Sequence, residues 1–183
     1  MVIFVDGFQS CGKTTLISNC RYEHARFPFN QHLSALGIPD LTGFQLGKDL
    51  GIMFALQGRY DPLVLDRGPL STIFYSLKEC RYGEKTPIIM ARFLKELASY
   101  KGFRYVFVTK KNAPVSERKR GDGFDYLDDD SDPNKDKLLE EMVREARAAG
   151  IKIEIFENDF SMQAKRNSRR FNALLERLAH EHD

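Results

Sequence analysis

The stretch Val2-Ile3-Phe4-Val5-Asp6-Gly7-Phe8-Gln9-Ser10-Cys11-Gly12-Lys13-Thr14-Thr15 decides how the rest of the chain is read. Its opening is a short, unbroken apolar run with β-branched side chains, the pattern of a strand buried on both faces in a parallel sheet. Residues 7–14 then fit glycine, four variable residues and Gly-Lys-Thr, set between that strand and a helix expected from about Gly12 with Leu16 and Ile17 turned inward. Glycines let such a loop curl so that backbone N–H groups converge on phosphate oxygens, with the positive end of a helix dipole behind them. Lys13 is placed to reach the outer phosphates and the Thr14 hydroxyl to ligate magnesium. The loop therefore implies ATP and Mg2+ as cofactors, with Gly7, Phe8, Gln9, Ser10, Cys11, Gly12, Lys13, Thr14 and Thr15 as nucleotide-binding residues. Cys11 reads either as an inert small residue or as a thiol activated by its place at a helix start.

Outward from the loop, strands and helices alternate. Residues 62–65 form a second buried strand ending in Asp66-Arg67-Gly68, 103–109 a third, and 151–156 a fourth. Helices are expected over 44–57, 71–80, 87–100, 133–149 and 161–180, the fifth of these carrying Phe171, Leu174, Leu175 and Leu178 on one side. Residues 20–40 mix aromatics, prolines and charges and read as a short strand or a loop bordering a site. Alternation of this kind predicts an α/β fold with a central parallel sheet and helices on both faces.

Ligands of open parallel sheets sit outside the carboxyl ends of the strands, which gives Asp66-Arg67 special weight. The Asp66 carboxylate would hold a magnesium-bound water or polarise an attacking hydroxyl, and the Arg67 guanidinium would bind an acceptor phosphate in a bidentate fork. The alternative is a structural ion pair at the start of the next helix. Residues 114–132 are polar, charged and glycine-containing, the composition of a lid that closes over a nucleotide. Within it Arg118 and Arg120 are candidate stabilisers of transferred charge, or else an exposed basic turn balanced by Asp128-Asp129-Asp130.

Composition bounds these readings. At 183 residues the chain suits a single domain spanning 1–183, and 42% hydrophobic with 30% charged residues is a soluble globular balance, as is the mean hydropathy of −0.42. No apolar run approaches the ~20 residues of a membrane-spanning helix, and no export signal precedes the first strand, so a cytoplasmic protein without membrane partners is expected. Cys11, Cys20 and Cys80 form neither a disulfide framework nor a metal pattern. A net charge of +2 does not by itself announce a nucleic-acid binder.

With the loop, Asp66-Arg67 and Arg118-Lys119-Arg120 in this order, the chain resembles the thymidylate kinase and deoxynucleoside kinase group of P-loop kinases. Asp66-Arg67-Gly68-Pro69-Leu70-Ser71-Thr72-Ile73-Phe74-Tyr75 is similar to that family's strand-end Asp-Arg and the helix after it. Arg120-Gly121-Asp122-Gly123-Phe124-Asp125 is similar to its lid. The resemblance implies a three-layer P-loop NTPase fold with about five parallel strands, one more than the apolar runs locate. It also implies catalytic roles for Lys13, Asp66, Arg67, Arg118 and Arg120, magnesium at Thr14 and Asp66, and a homodimer as a possible assembly. Three departures stand out: Gln9 replaces an acidic loop residue, the family's Arg-Glu-Pro-Gly-Gly acceptor motif is absent, and the interval from Lys13 to Asp66 is short.

Three functions follow. A nucleotide kinase would pass the γ-phosphate of ATP to a deoxynucleoside monophosphate. A nucleoside kinase, or a kinase of a hydroxyl on a modified base or end in DNA, would exploit the abbreviated acceptor region and the basic residues Arg21, Arg26, Lys110 and Lys111. A nucleotide-dependent switch would bind ATP and transfer nothing.

Overall fold

The apolar opening becomes β1 (Val2–Gly7), buried at every position. In the computed structural model, which describes residues 1–8, 10–26, 41–79, 86–112 and 135–181, β1 is the middle strand of a five-stranded sheet. The others are β2 (Glu23–Arg26), β3 (Leu63–Asp66), β4 (Phe103–Lys111) and β5 (Ile153–Asp159), in the spatial order β2-β3-β1-β4-β5 with every pairing parallel. The crossovers are α1 (Lys13–Ser18), α2 (Leu41–Leu56), α3 (Pro69–Glu79), α4 (Thr86–Ser99) and α5 (Lys135–Ala148), and α6 (Ala164–His180) closes the described chain.

Alternation along each strand sorts the two faces. Phe4 stacks on Phe103 and Tyr105, and Phe107 meets Phe74 of α3, so this parity faces α2 and α3. The opposite parity faces α1 and α6, as the edge-on contact of Phe156 with Phe171 shows. Phe171, Leu175 and Leu178 of α6 are all buried, the stripe expected from their spacing.

The fifth strand is β2, whose Glu-His-Ala-Arg sequence lacks an apolar run because it lies at a sheet edge, where charge blunts unwanted pairing. α2 begins at Leu41, three residues before the helical spacing expected at 44, despite Gly47 and Gly51. β5 is displaced from the expected 151–156 and runs to Asp159, because Ile151 closes the turn after α5 through its N–H bond to the Ala146 carbonyl. α6 starts at Ala164 rather than 161: the Asp159 carboxylate accepts from both the amide and the hydroxyl of Ser161, holding that residue in a turn. The expected lid at 114–132 with Arg118 and Arg120, and also Gln9 and Cys80, lie outside the described residues. Among the described residues no helix is long and apolar enough to cross a membrane.

Candidate active site

The loop between β1 and α1 is shaped by its neighbours. Gly7 has φ 143°, and a Cβ there would lie 2.2 Å from the carbonyl oxygen of Val108 on β4. Only glycine lets the chain leave β1 this close to β4, and the next amide, Phe8 N–H, donates to that same carbonyl at 3.2 Å. Gly12, at φ 81°, is tight for another reason: a Cβ would meet Asn158 Nδ2 of β5 at 2.6 Å. That amide donates to the Cys11 carbonyl at 2.8 Å, fixing the crown of the loop to the end of β5. Lys13 is buried, and its ammonium donates to the carbonyls of Gly7 (3.0 Å) and Phe8 (2.6 Å), 3.5 Å from the Cys11 sulfur. Ser10, Thr14 and Thr15 are exposed at the mouth.

Strand parity and register decide which carboxylate meets the loop. Asp66 pairs with Val5 in the β1–β3 register and so faces α1, where its Oδ2 accepts from the Thr14 hydroxyl at 2.8 Å. Its Oδ1 is buried without a hydrogen-bond partner among the described residues. Asp6 has the other parity. Fully buried toward α3, it accepts from the Ser71 amide at 2.9 Å, and burial pushes its carboxyl above the ordinary range against the opposing pull of Ser71 and Gly68 donors. Of the two strand-end aspartates, Asp66 is therefore the one beside the loop hydroxyl. Arg67 follows in a left-handed conformation, φ 80°, which a residue with a side chain adopts only under strain. Sequence reasoning placed Lys13, Thr14, Asp66 and Arg67 near one another, and the fold brings them to the same end of the sheet.

Two groups near the loop escaped that reasoning. Asn158 and Asp159 end β5, the carboxylate held below its usual range chiefly by the Ser161 hydroxyl and Asn112. Asn167 donates to the Asp159 carbonyl at 2.7 Å, so α6, β5 and the loop form one polar lattice with Phe160 bordering Gly12. The rule about strand carboxyl ends would have found Asn158 had the strand not been ended at Phe156. The second group is Asp49 of α2, which accepts from Thr72 of α3 at 2.7 Å with Lys48 3.7 Å away. Burial outweighs that cation and pushes the Asp49 carboxyl up to about 7. Nothing in its sequence context distinguished it from the polar side of an amphipathic helix.

A divalent cation fits this arrangement. Magnesium takes oxygen ligands, and the Thr14 hydroxyl and the buried, unpartnered Asp66 Oδ1 present two at the loop mouth. Thr14 and Asp66 would hold the ion, which when bound supplies charge neutralisation to the phosphates. Among the described residues no cluster of three or more His, Cys, Asp or Glu side chains offers a separate metal site.

The strand order and loop placement are those of P-loop kinases, and solved structures agree. Deoxyadenosine kinase from M. mycoides with bound dCTP superposes with a TM-score of 0.52 at 16% identity, over 97% of this chain and 100% of that one. The same enzyme with its products dCMP and dCDP gives 0.51 at 13% identity, over 97% and 100%. A gluconokinase from Sinorhizobium meliloti 1021 gives 0.46 at 16% identity, over 97% and 93%. The two deoxyadenosine kinase superpositions give the chain a P-loop kinase fold. Its sequence matches no protein-family model and no curated protein.

Proposed function

We propose that the protein is an ATP-dependent phosphotransferase of the thymidylate kinase-like type, moving the γ-phosphoryl group onto a deoxynucleoside monophosphate. The observation that carries this reading is the Thr14–Asp66 contact of 2.8 Å beside the buried Lys13 ammonium. It supports a magnesium-ATP site whose metal ligands come from both the loop and the neighbouring strand. Lys13 exchanges the loop carbonyls for phosphate oxygens and follows the charge that migrates in transfer. Arg67, held in a strained backbone at the strand end, binds the acceptor's phosphate, and the lid arginines Arg118 and Arg120 close over the donor. Asn158 positions the loop without touching the reacting atoms. The deoxyadenosine kinase neighbours, solved with deoxycytidine nucleotides bound, support a substrate of the nucleoside or nucleotide class, the acceptor in that enzyme being a nucleoside.

A second reading, transfer to a hydroxyl within DNA, is favoured by the basic start of α6 described below. Labelled ATP offered with nucleosides, deoxynucleoside monophosphates and modified DNA at two salt concentrations separates these readings. Label on a free monophosphate, at a rate insensitive to salt, is the expected result. Label only on DNA moves the assignment to the second reading, and ATP binding with no transfer to any acceptor leaves a nucleotide-dependent switch.

A further inference from the structure

The first two turns of α6 carry Lys165, Arg166, Arg169 and Arg170, and the first turn holds no acidic residue. This arrangement opposes helix formation twice over. Cations at a helix N-terminus face the positive end of the macrodipole, and Lys165 with Arg169 and Arg166 with Arg170 are like charges four residues apart. Such a local conflict is expected where a surface serves something other than folding.

Arg170 is committed elsewhere, stacking over Phe156 at 5.3 Å and donating to the Asn167 side chain. Lys165, Arg166 and Arg169 are exposed and make no side-chain hydrogen bond or ion pair with a described residue. Two basic residues that the sequence suggested for nucleic-acid contact are in fact engaged within the protein: Arg21 with Glu176 and Lys111 with Glu157.

The place of these three cations matters as much as their charge. Phe160, an aromatic 39% exposed that borders Gly12 of the phosphate loop, opens the short turn that joins the end of β5 to α6. A row of unpaired cations continuing from an exposed ring is the combination that holds a single strand, phosphates on the charges and a base on the ring. An anionic membrane is the weaker match, because the exposed positions in these two turns carry no large apolar side chain to enter a bilayer.

We propose that Lys165, Arg166 and Arg169 bind the phosphate backbone of a single-stranded nucleic acid, with Phe160 at the end of the track nearest the phosphate loop. The binding itself is independent of the kinase reading; only its consequence, delivery of a strand to the transfer site, rests on that reading.

The test is fluorescence anisotropy of a labelled oligothymidylate with the full chain and no ATP. Three phosphate contacts on a single strand predict affinity falling about twentyfold between about 50 and about 200 mM salt. Arg169→Glu should weaken binding at least several-fold, whereas Arg92→Glu, the same charge change on an exposed position of α4, should leave it unchanged. The triple reversal Lys165→Glu, Arg166→Glu, Arg169→Glu should abolish binding and raise Tm, since it sets acids at the positive end of the macrodipole and makes the 166–170 pair opposite in charge, which outweighs the 165–169 pair staying like-charged. Arg169→Gln, which keeps a good helix former, provides the milder variant should the triple reversal fold poorly. Equal loss in Arg92→Glu and Arg169→Glu, salt-independent affinity, unaltered binding by the triple variant, or retention on phosphatidylglycerol vesicles with none on the oligonucleotide overturns the proposal. Oligonucleotide binding without transfer to any acceptor leaves the surface standing and removes the kinase reading instead.

Discussion

At single residues the loop is governed by contacts made beneath it. Asn158 is buried, and its side-chain amide donates from β5 to the Cys11 carbonyl at the crown of the loop. Asn158→Ala would leave the Cys11 carbonyl without that donor in a buried position, at about 1–3 kcal/mol of stability. Because the freed loop must be ordered again by ATP, the KM for ATP should rise more than kcat falls. Steady-state kinetics with a thermal melt checks both halves, and a pure loss of kcat would instead make Asn158 a participant in transfer. Arg67 poses the opposite case, since its φ of 80° is a strain that glycine would not suffer. Arg67→Gly should match the native stability or exceed it by up to about 1 kcal/mol while losing transfer, which a melt and a labelled-ATP assay measure together. A fall in both would show that the guanidinium holds the fold rather than the acceptor.

Between elements, the α2–α3 contact is set by a carboxylate at an unusual depth. The Asp49 carboxyl is pushed from 3.8 up to about 7 by burial, with the Thr72 hydroxyl and Lys48 opposing the shift and the nearby Asp6 reinforcing it. Between those two values the native chain holds a proton that the unfolded chain releases, so stability falls as pH rises through the window and levels off above about 7. Asp49→Asn should flatten most of that slope and stabilise the protein at pH 8, by an amount on the order of a few kcal/mol. Some slope remains from Asp6, whose carboxyl is raised in the same direction. Chemical denaturation from pH 4 to 8 makes the measurement, and identical slopes in the two proteins would remove Asp49 from the account. The same contact shows where sequence reading stops. β1, β3 and β4 were legible because burial on both faces demands continuous apolar runs, whereas β2 has the charged composition of an edge and offers no such run. The end of β5 was hidden because its last residues, Glu157-Asn158-Asp159, are polar for the sake of the loop rather than the core. Thr14 and Asp66 were legible as candidates from their motifs, but their 2.8 Å contact depends on register and parity that no single element encodes.

For the molecule as a whole, the candidate site is a joint property of β1, β3, β4 and β5, so ligand binding is expected to register in global stability. Gly7 meets Val108, Cys11 meets Asn158 and Thr14 meets Asp66, and unfolding any of these strands dismantles the loop. A ligand bound only by the native state stabilises it by about 2.7 kcal/mol at a hundredfold excess over its Kd. In a domain of this size that corresponds to a Tm rise of about 5–10 °C with ATP and Mg2+. Lys13→Ala should lose most of this rise, because the charge that draws the outer phosphates is gone while the loop backbone remains. Asp66→Asn should behave differently, keeping the shift given by ATP alone but losing the increment that Mg2+ adds, since the amide is a poorer ligand for a hard cation than the carboxylate beside Thr14. Melts with ATP, with and without Mg2+, distinguish the variants in one series. An undiminished shift in Lys13→Ala would place the nucleotide elsewhere, and an undiminished magnesium increment in Asp66→Asn would return that aspartate to a purely structural role.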